Sequence, residues 1–138
     1  MMFRHWFERY KCENTRQYLR LPAAWPIKCR VIEPRAEGET LFSTEDVSAG
    51  GAGLMVQDPL LKGSRLAVDL HVPPLDRTIS AEAEVVRCLP KPREGFQVGL
   101  RFRGISPQDR SDLAGVIERF FRPDERAHQQ GIYWRHLN

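Results

Sequence analysis

Residues 66–72 read LAVDLHV and residues 79–85 read ISAEAEV, separated by PPLDRT. In the first run Leu66, Val68, Leu70 and Val72 alternate with Ala67, Asp69 and His71. In the second, Ile79, Ala81, Ala83 and Val85 alternate with Ser80, Glu82 and Glu84. An apolar residue at every second position marks a strand with one buried face and one wet face. Pro73 to Asp76 supplies a turn, because proline and aspartate suit turn backbones. The stretch therefore reads as two adjacent antiparallel strands.

The same period recurs on both sides. Ile27, Cys29 and Val31 alternate with Lys28 and Arg30, and Phe96, Val98, Leu100 and Phe102 alternate with Gln97, Gly99, Arg101 and Arg103. Leu54-Met55-Val56 is a shorter run of the same kind. Further turns are expected at Pro34–Gly38, Asp58–Gly63 and Pro90–Gly95. About six strands in about 75 residues, all joined by short loops, predict a mainly β chain closed into a small antiparallel barrel.

The period then changes once. Ser106 suits an N-cap, Pro107 the first helical position and Asp109 the first turn. Leu113, Val116, Ile117, Phe120 and Phe121 form one stripe before Pro123, which predicts a C-terminal helix packed on an open end of the barrel. Near the start, Phe3, Trp6, Phe7 and Tyr10 have the spacing of a short amphipathic helix of about two turns. It suits a cover for the barrel, a dimer contact or, least well, a membrane-surface anchor. Glu13 to Trp25 reads as an extended arm, flanked by Pro22 and Pro26. The expected divisions are an extension at residues 1–13, the main domain at 14–121 and a tail at 122–138.

Length and composition narrow the function. The chain has 138 residues, 41% apolar and 28% charged, which suits one globular domain. No apolar run approaches the roughly 20 residues of a membrane-spanning helix, and the charged start lacks a signal peptide's apolar core, so a cytoplasmic protein is expected. Cys12, Cys29 and Cys88 are too few and too scattered for a disulfide framework or a four-cysteine zinc site. The four histidines share no metal-ligand spacing, and no nucleophile elbow, zinc-protease helix, Walker loop or dinucleotide fingerprint occurs. A binder, not an enzyme, is expected, with no metal and no cofactor.

Charge is uneven along the chain. Residues 1–35 carry eight Lys and Arg against three Asp and Glu, whereas residues 36–75 carry two against six. A basic arm in front of a near-neutral body suits an anionic partner. Within that arm Arg16-Gln17-Tyr18-Leu19-Arg20 is an R-x-x-x-R, a spacing that seventeen arginines produce about twice by chance, and Arg122 with Arg126 repeats it. Asp46-Val47-Ser48-Ala49-Gly50-Gly51 is a D-x-S-x-x-G, for which chance predicts only about 0.02 occurrences. By itself it reads as an Asx or Ser turn with glycines at positive φ.

Together, in this order and separation, the two motifs resemble the PilZ domain, the bacterial receptor for cyclic di-GMP. The similarity extends through Arg20-Leu21-Pro22 and Pro26-Ile27, Asp46 to Leu54, Pro59-Leu60 with Gly63, Ala83 to Arg87, Gly99 to Phe102, and the helix bearing Leu113 and Ile117. It covers roughly residues 14–121. One departure is Thr15, where many members have a further arginine, and it leaves the ligand stoichiometry open. The resemblance implies a six-stranded barrel with one C-terminal helix and a ligand site at Arg16, Arg20, Asp46, Ser48, Gly50 and Gly51, with Arg87 a weaker candidate.

The chemistry of these residues suits such a ligand. An arginine fork takes guanine O6 and N7 or a pair of phosphate oxygens, and it stacks on purines. An aspartate accepts from the N–H groups of guanine's Watson–Crick edge, and a serine hydroxyl donates to phosphate. Glycines let a ligand approach the backbone N–H groups. Ordering of residues 14–22 over the ligand is the expected switch, read by a downstream protein, with a homodimer left open. Two rivals remain: a PilZ-like interaction module that does not bind the nucleotide, and a barrel for single-stranded nucleic acid. The latter needs exposed aromatics alternating with basic residues, whereas Phe96 and Phe102 share the apolar face of their strand.

Overall fold

The computed structural model describes residues 18–121. The expected N-terminal helix, Arg16 and the tail from residue 122 lie outside the described residues. Six strands run β1 (Pro26–Glu33), β2 (Glu39–Ser48), β3 (Gly51–Val56), β4 (Arg65–Val72), β5 (Arg77–Lys91) and β6 (Gly95–Gly104), followed by one helix, α1 (Pro107–Phe121). They close into an antiparallel barrel in the order β1-β2-β3-β6-β5-β4.

Alternation in the sequence becomes inside and outside. Ile27, Leu66, Val68, Leu70, Val72, Ile79, Val85, Val98 and Leu100 all join one core. The helix begins where expected: the Asp109 N–H donates to the Ser106 Oγ at 3.0 Å. Arg77, the first residue of β5, holds Asp109 at 2.9 Å and Asp112 at 2.5 Å. Leu113, Val116 and Ile117 then bury into the barrel core. Phe121 packs partly buried against the same core, and Phe120 alone of the stripe is exposed, at 48%.

Three local expectations are corrected. First, β2 had no period-two signature, because its register shifts between Thr44 and Asp46 and only Thr44 and Val47 are buried in it. Second, Asp46 to Ser48 still belongs to that strand, and the turn read from the motif is confined to Ala49 and Gly50, where the Gly50 N–H donates to the Ser48 Oγ at 3.1 Å. Third, β5 continues through Pro90 to Lys91, and the turn into β6 is confined to residues 92–94. A second register shift, between Val85 and Arg87, breaks the alternation of β5 midway.

The C-terminal part of the extended arm is fixed to the barrel. Leu21 is buried and exchanges backbone hydrogen bonds with Val47 at 2.7 and 2.9 Å. The buried Thr44 hydroxyl accepts from the Trp25 N–H at 2.9 Å and donates to the Ala23 carbonyl at 2.6 Å. Leu21 to Trp25 of the arm are thus docked on β2.

Two outcomes follow. Leu113→Ala should lower the unfolding free energy by about 2–5 kcal/mol, the range for emptying a buried leucine site, and Phe120→Ala by less than about 1 kcal/mol, both read by urea denaturation. The Cys29 thiol is pushed up to about 12 by burial and, secondarily, by the Asp69 charge. Its folded pKa therefore lies above the unfolded value of about 8.5. Its contribution to stability should be complete below that value and fall away as pH rises toward 12. Alkylation at pH 8 should accordingly reach half-buried Cys88 before Cys29.

Candidate functional site

Two outward-facing rows of the barrel wall organise the site. Asp46 on β2 pairs with Gly53 on β3, Gly53 with Gly99 on β6, and Gly99 with Arg87 on β5. Asp46 and Arg87 each directly follow one of the register shifts, and such bulges re-aim the next side chain. Both lean over the glycines between them. A Cβ on Gly53 would meet Asp46 Oδ1 at 2.9 Å, and one on Gly99 would meet Arg87 Nη2 at 3.4 Å. The second row links Ser48, Gly51 and Arg101.

The arm delivers Arg20 to this wall. The Leu21–Val47 bridge sets the register, and Arg20 Nη2 reaches Asp46 Oδ1 at 2.5 Å. Two residues earlier, the Tyr18 ring lies on Gly50, whose Cβ would come within 2.6 Å of the ring. Arg110 of α1 also stands over the Tyr18 ring, 5.7 Å from its centroid, and its Nε donates to the Ala49 carbonyl at 3.3 Å.

Between these groups lies a cleft of about 410 Å³ whose lining includes Tyr18, Arg20, Ser48, Arg87, Arg101 and Arg110. Four arginines line it and, among the described residues, no carboxylate does. A second hollow of about 390 Å³ adjoins it, lined by Asp46 and Glu45, and Arg20 and Arg87 border both. The Arg87 Nε is buried and has no hydrogen-bond partner among the described residues. Polar atoms buried in this way normally have a partner, and the described residues do not supply one here.

Five of the seven expected residues, Arg20, Ser48, Gly50, Gly51 and Arg87, line the cleft itself. Asp46 lines the adjoining hollow, and Arg16 lies outside the described residues. The glycines of the motif do not supply positive φ, which among described glycines occurs only at Gly63 and Gly95. Gly51 is required because a Cβ would fall 1.9 Å from the Leu100 carbonyl oxygen. The Gly50 N–H already bonds the Ser48 Oγ, at 3.1 Å. Tyr18, Gly53, Gly99, Arg101 and Arg110 were missed. Tyr18 had a signal, lying between the two motif arginines, whereas no spacing connects Arg110 to them.

The sequence profile of the PilZ domain family matches residues 14–119. This chain is a PilZ domain. PilZ domains are non-catalytic receptors of cyclic di-GMP as a family. No curated protein sequence matches significantly. Among solved structures, the Bacillus subtilis inhibitor of motility (MotI/DgrA) is 27% identical with a TM-score of 0.65, over 75% of this chain and 50% of that one. The PilZ domain of Escherichia coli YcgR, solved with c-di-GMP, is 19% identical with a TM-score of 0.55, over 84% of this chain and 97% of that one. The MrkH–c-di-GMP complex of K. pneumonia is 22% identical with a TM-score of 0.56, over 73% and 49%. This chain spans about half the length of the first and third. Among the described residues no helix is long and apolar enough to cross a membrane, and no group of side chains is placed to hold a metal ion.

The glycines of this PilZ wall separate two effects. Gly51→Ala should cost about 1–3 kcal/mol or more in urea unfolding, because backbone must move to admit the methyl. Gly53→Ala should cost less than about 1 kcal/mol, since the Asp46 side chain can swing aside, with the Arg20–Asp46 pair lost.

Proposed function

We propose that this PilZ domain is a cyclic di-GMP receptor that works by binding alone. The observation that carries the reading is the carboxylate-free cleft with its four arginines and its unpartnered Arg87 Nε. A ligand with two phosphates and two guanines matches those donors, since arginine forks serve both groups. Asp46 binds Arg20 through Oδ1, which leaves Oδ2 as an acceptor for a guanine N–H. Ser48 keeps its hydroxyl at the lining, beside the Gly50 N–H. Arg16 reaches the ligand from the arm and closes over it.

In this reading the switch is smaller than the ordering of a whole arm. Leu21 to Trp25 stay on β2, while Arg20 exchanges part of its contact with Asp46 for the ligand and residues 14–19 follow. Residues 14–121 form the receptor, in the cytoplasm. A downstream protein reads the liganded state. The nucleic-acid rival has less support, because the outward residues of β6 are Gln97, Gly99, Arg101 and Arg103, without an aromatic.

Calorimetric titration with cyclic di-GMP tests the reading and reports stoichiometry at once. Arg16→Ala, Arg20→Ala and Asp46→Ala should each weaken binding by about 2–5 kcal/mol while changing unliganded stability by less than about 1 kcal/mol. A hundredfold excess of ligand over Kd should raise the wild-type unfolding free energy by about 2.7 kcal/mol. Arg122→Ala and Arg126→Ala, with the same spacing, should leave binding unchanged. Equal losses at the control pair would mean general basicity, and an inert wild type would favour the interaction module that binds no nucleotide.

A further inference from the structure

We propose that Arg110, on the first turns of α1, is a phosphate-binding residue of the cleft and the route by which occupancy reaches the helix. This rests on the cyclic di-GMP reading and adds to it a residue that belongs to neither motif. Arg110 lines the same cleft as Arg20 and Arg87. Its present contacts are weak for a half-buried guanidinium: a 3.3 Å bond to the Ala49 carbonyl and the Tyr18 ring at 5.7 Å. Among the described residues no carboxylate lies within 4.0 Å of it, although two acidic residues flank it on its own helix. Both of those, Asp109 and Asp112, are held by Arg77 at 2.9 and 2.5 Å.

The arrangement leaves a cation without a counter-ion near the positive end of a helix dipole, where cations are disfavoured and anions favoured. A phosphodiester in the cleft relieves both conditions. A bond from the guanidinium to an anionic phosphate oxygen adds an attraction of opposite charges that the bond to the neutral Ala49 carbonyl lacks, so Arg110 gains by leaving Ala49 for the ligand. The exchange has consequences on two elements. It releases the Arg110 contact on the Tyr18 ring, and Tyr18 belongs to the arm that carries Arg16 and Arg20. It also pulls on the turn of α1 that Arg77 braces to the start of β5. Arg110 therefore connects the arm, the Ala49–Gly50 turn and the helix through one change of partner.

The test compares wild type, Arg110→Lys and Arg110→Gln in calorimetric titrations with cyclic di-GMP. Thermal unfolding without ligand and amide exchange of residues 107–121 complete the set. Arg110→Gln should bind about tenfold more weakly or worse, the loss expected for a hydrogen bond to a charged group. Arg110→Lys should stay within about threefold of wild type, since a lysine serves phosphate as a point charge but cannot reproduce a planar fork. Ligand should slow exchange in the helix of wild type and Arg110→Lys, and not in saturated Arg110→Gln. Wild-type affinity in Arg110→Gln overturns the inference and leaves the receptor reading intact. Equal losses in Lys and Gln variants of unchanged thermal stability overturn the phosphate role, because a fork or stacking contact would then be at work. A large fall in the thermal stability of Arg110→Gln, with Arg110→Lys also losing affinity, assigns Arg110 to the fold and overturns the inference. Absence of binding by the wild type removes the receptor reading and this inference with it.

Discussion

Closing six strands around one core of inward side chains constrains everything else in this domain. A barrel this small has to coil its strands strongly, and bulges are the usual means of bending a strand without breaking its ladder. Two of the register shifts, at Thr44/Asp46 and Val85/Arg87, lie on strands separated by β3 and β6. Each sets a charged side chain on the outer wall, facing the other across two glycines. Closure and the recognition surface thus share one cause. The inner row Val47, Ala52, Leu100 and Val85, one step along the same strands, is fully committed to the core.

The arm is held by apolar burial and backbone pairing more than by charge. Leu21 and Trp25 are buried, and Thr44 satisfies two backbone groups between them. Arg20 is consequently presented at a fixed place, and its ion pair with Asp46 orients it without having to anchor the chain. Partly exposed pairs contribute little stability, about 0–1 kcal/mol, so such a contact is free to exchange partners. The strong bonds hold the frame, and the weak ones lie where a ligand must intervene.

Most of the barrel was legible because its strands each have one buried and one wet face, which writes a period of two directly into Leu66–Val72, Ile79–Val85 and Phe96–Phe102. The helix was legible because Ser106, Pro107 and the Leu113–Ile117 spacing agree. β2 was not, since a bulged strand with exposed Leu41 and buried Thr44 lacks alternation. The cleft was legible where rare local motifs mark it, at Asp46, Ser48 and Gly51. It was illegible at Gly53, Gly99, Arg101 and Arg110, which meet the motif only through strand register or helix docking. Gly50 lies in the turn its motif suggested, and Gly50, Gly53 and Gly99 also leave room for what rests on them: a tyrosine ring, an aspartate and an arginine.

Closure has a further consequence. Recruitment by strand addition needs a sheet edge with unpaired N–H and C=O groups. Each of the six described strands has a neighbour on both sides, so the barrel wall offers no ladder to extend. The same property protects the domain against edge-to-edge aggregation. A protein that binds the described part of this chain has to read side chains: those on the outer strand faces, or the solvent side of α1, where Glu118, Arg119 and Phe120 stand clear of the core.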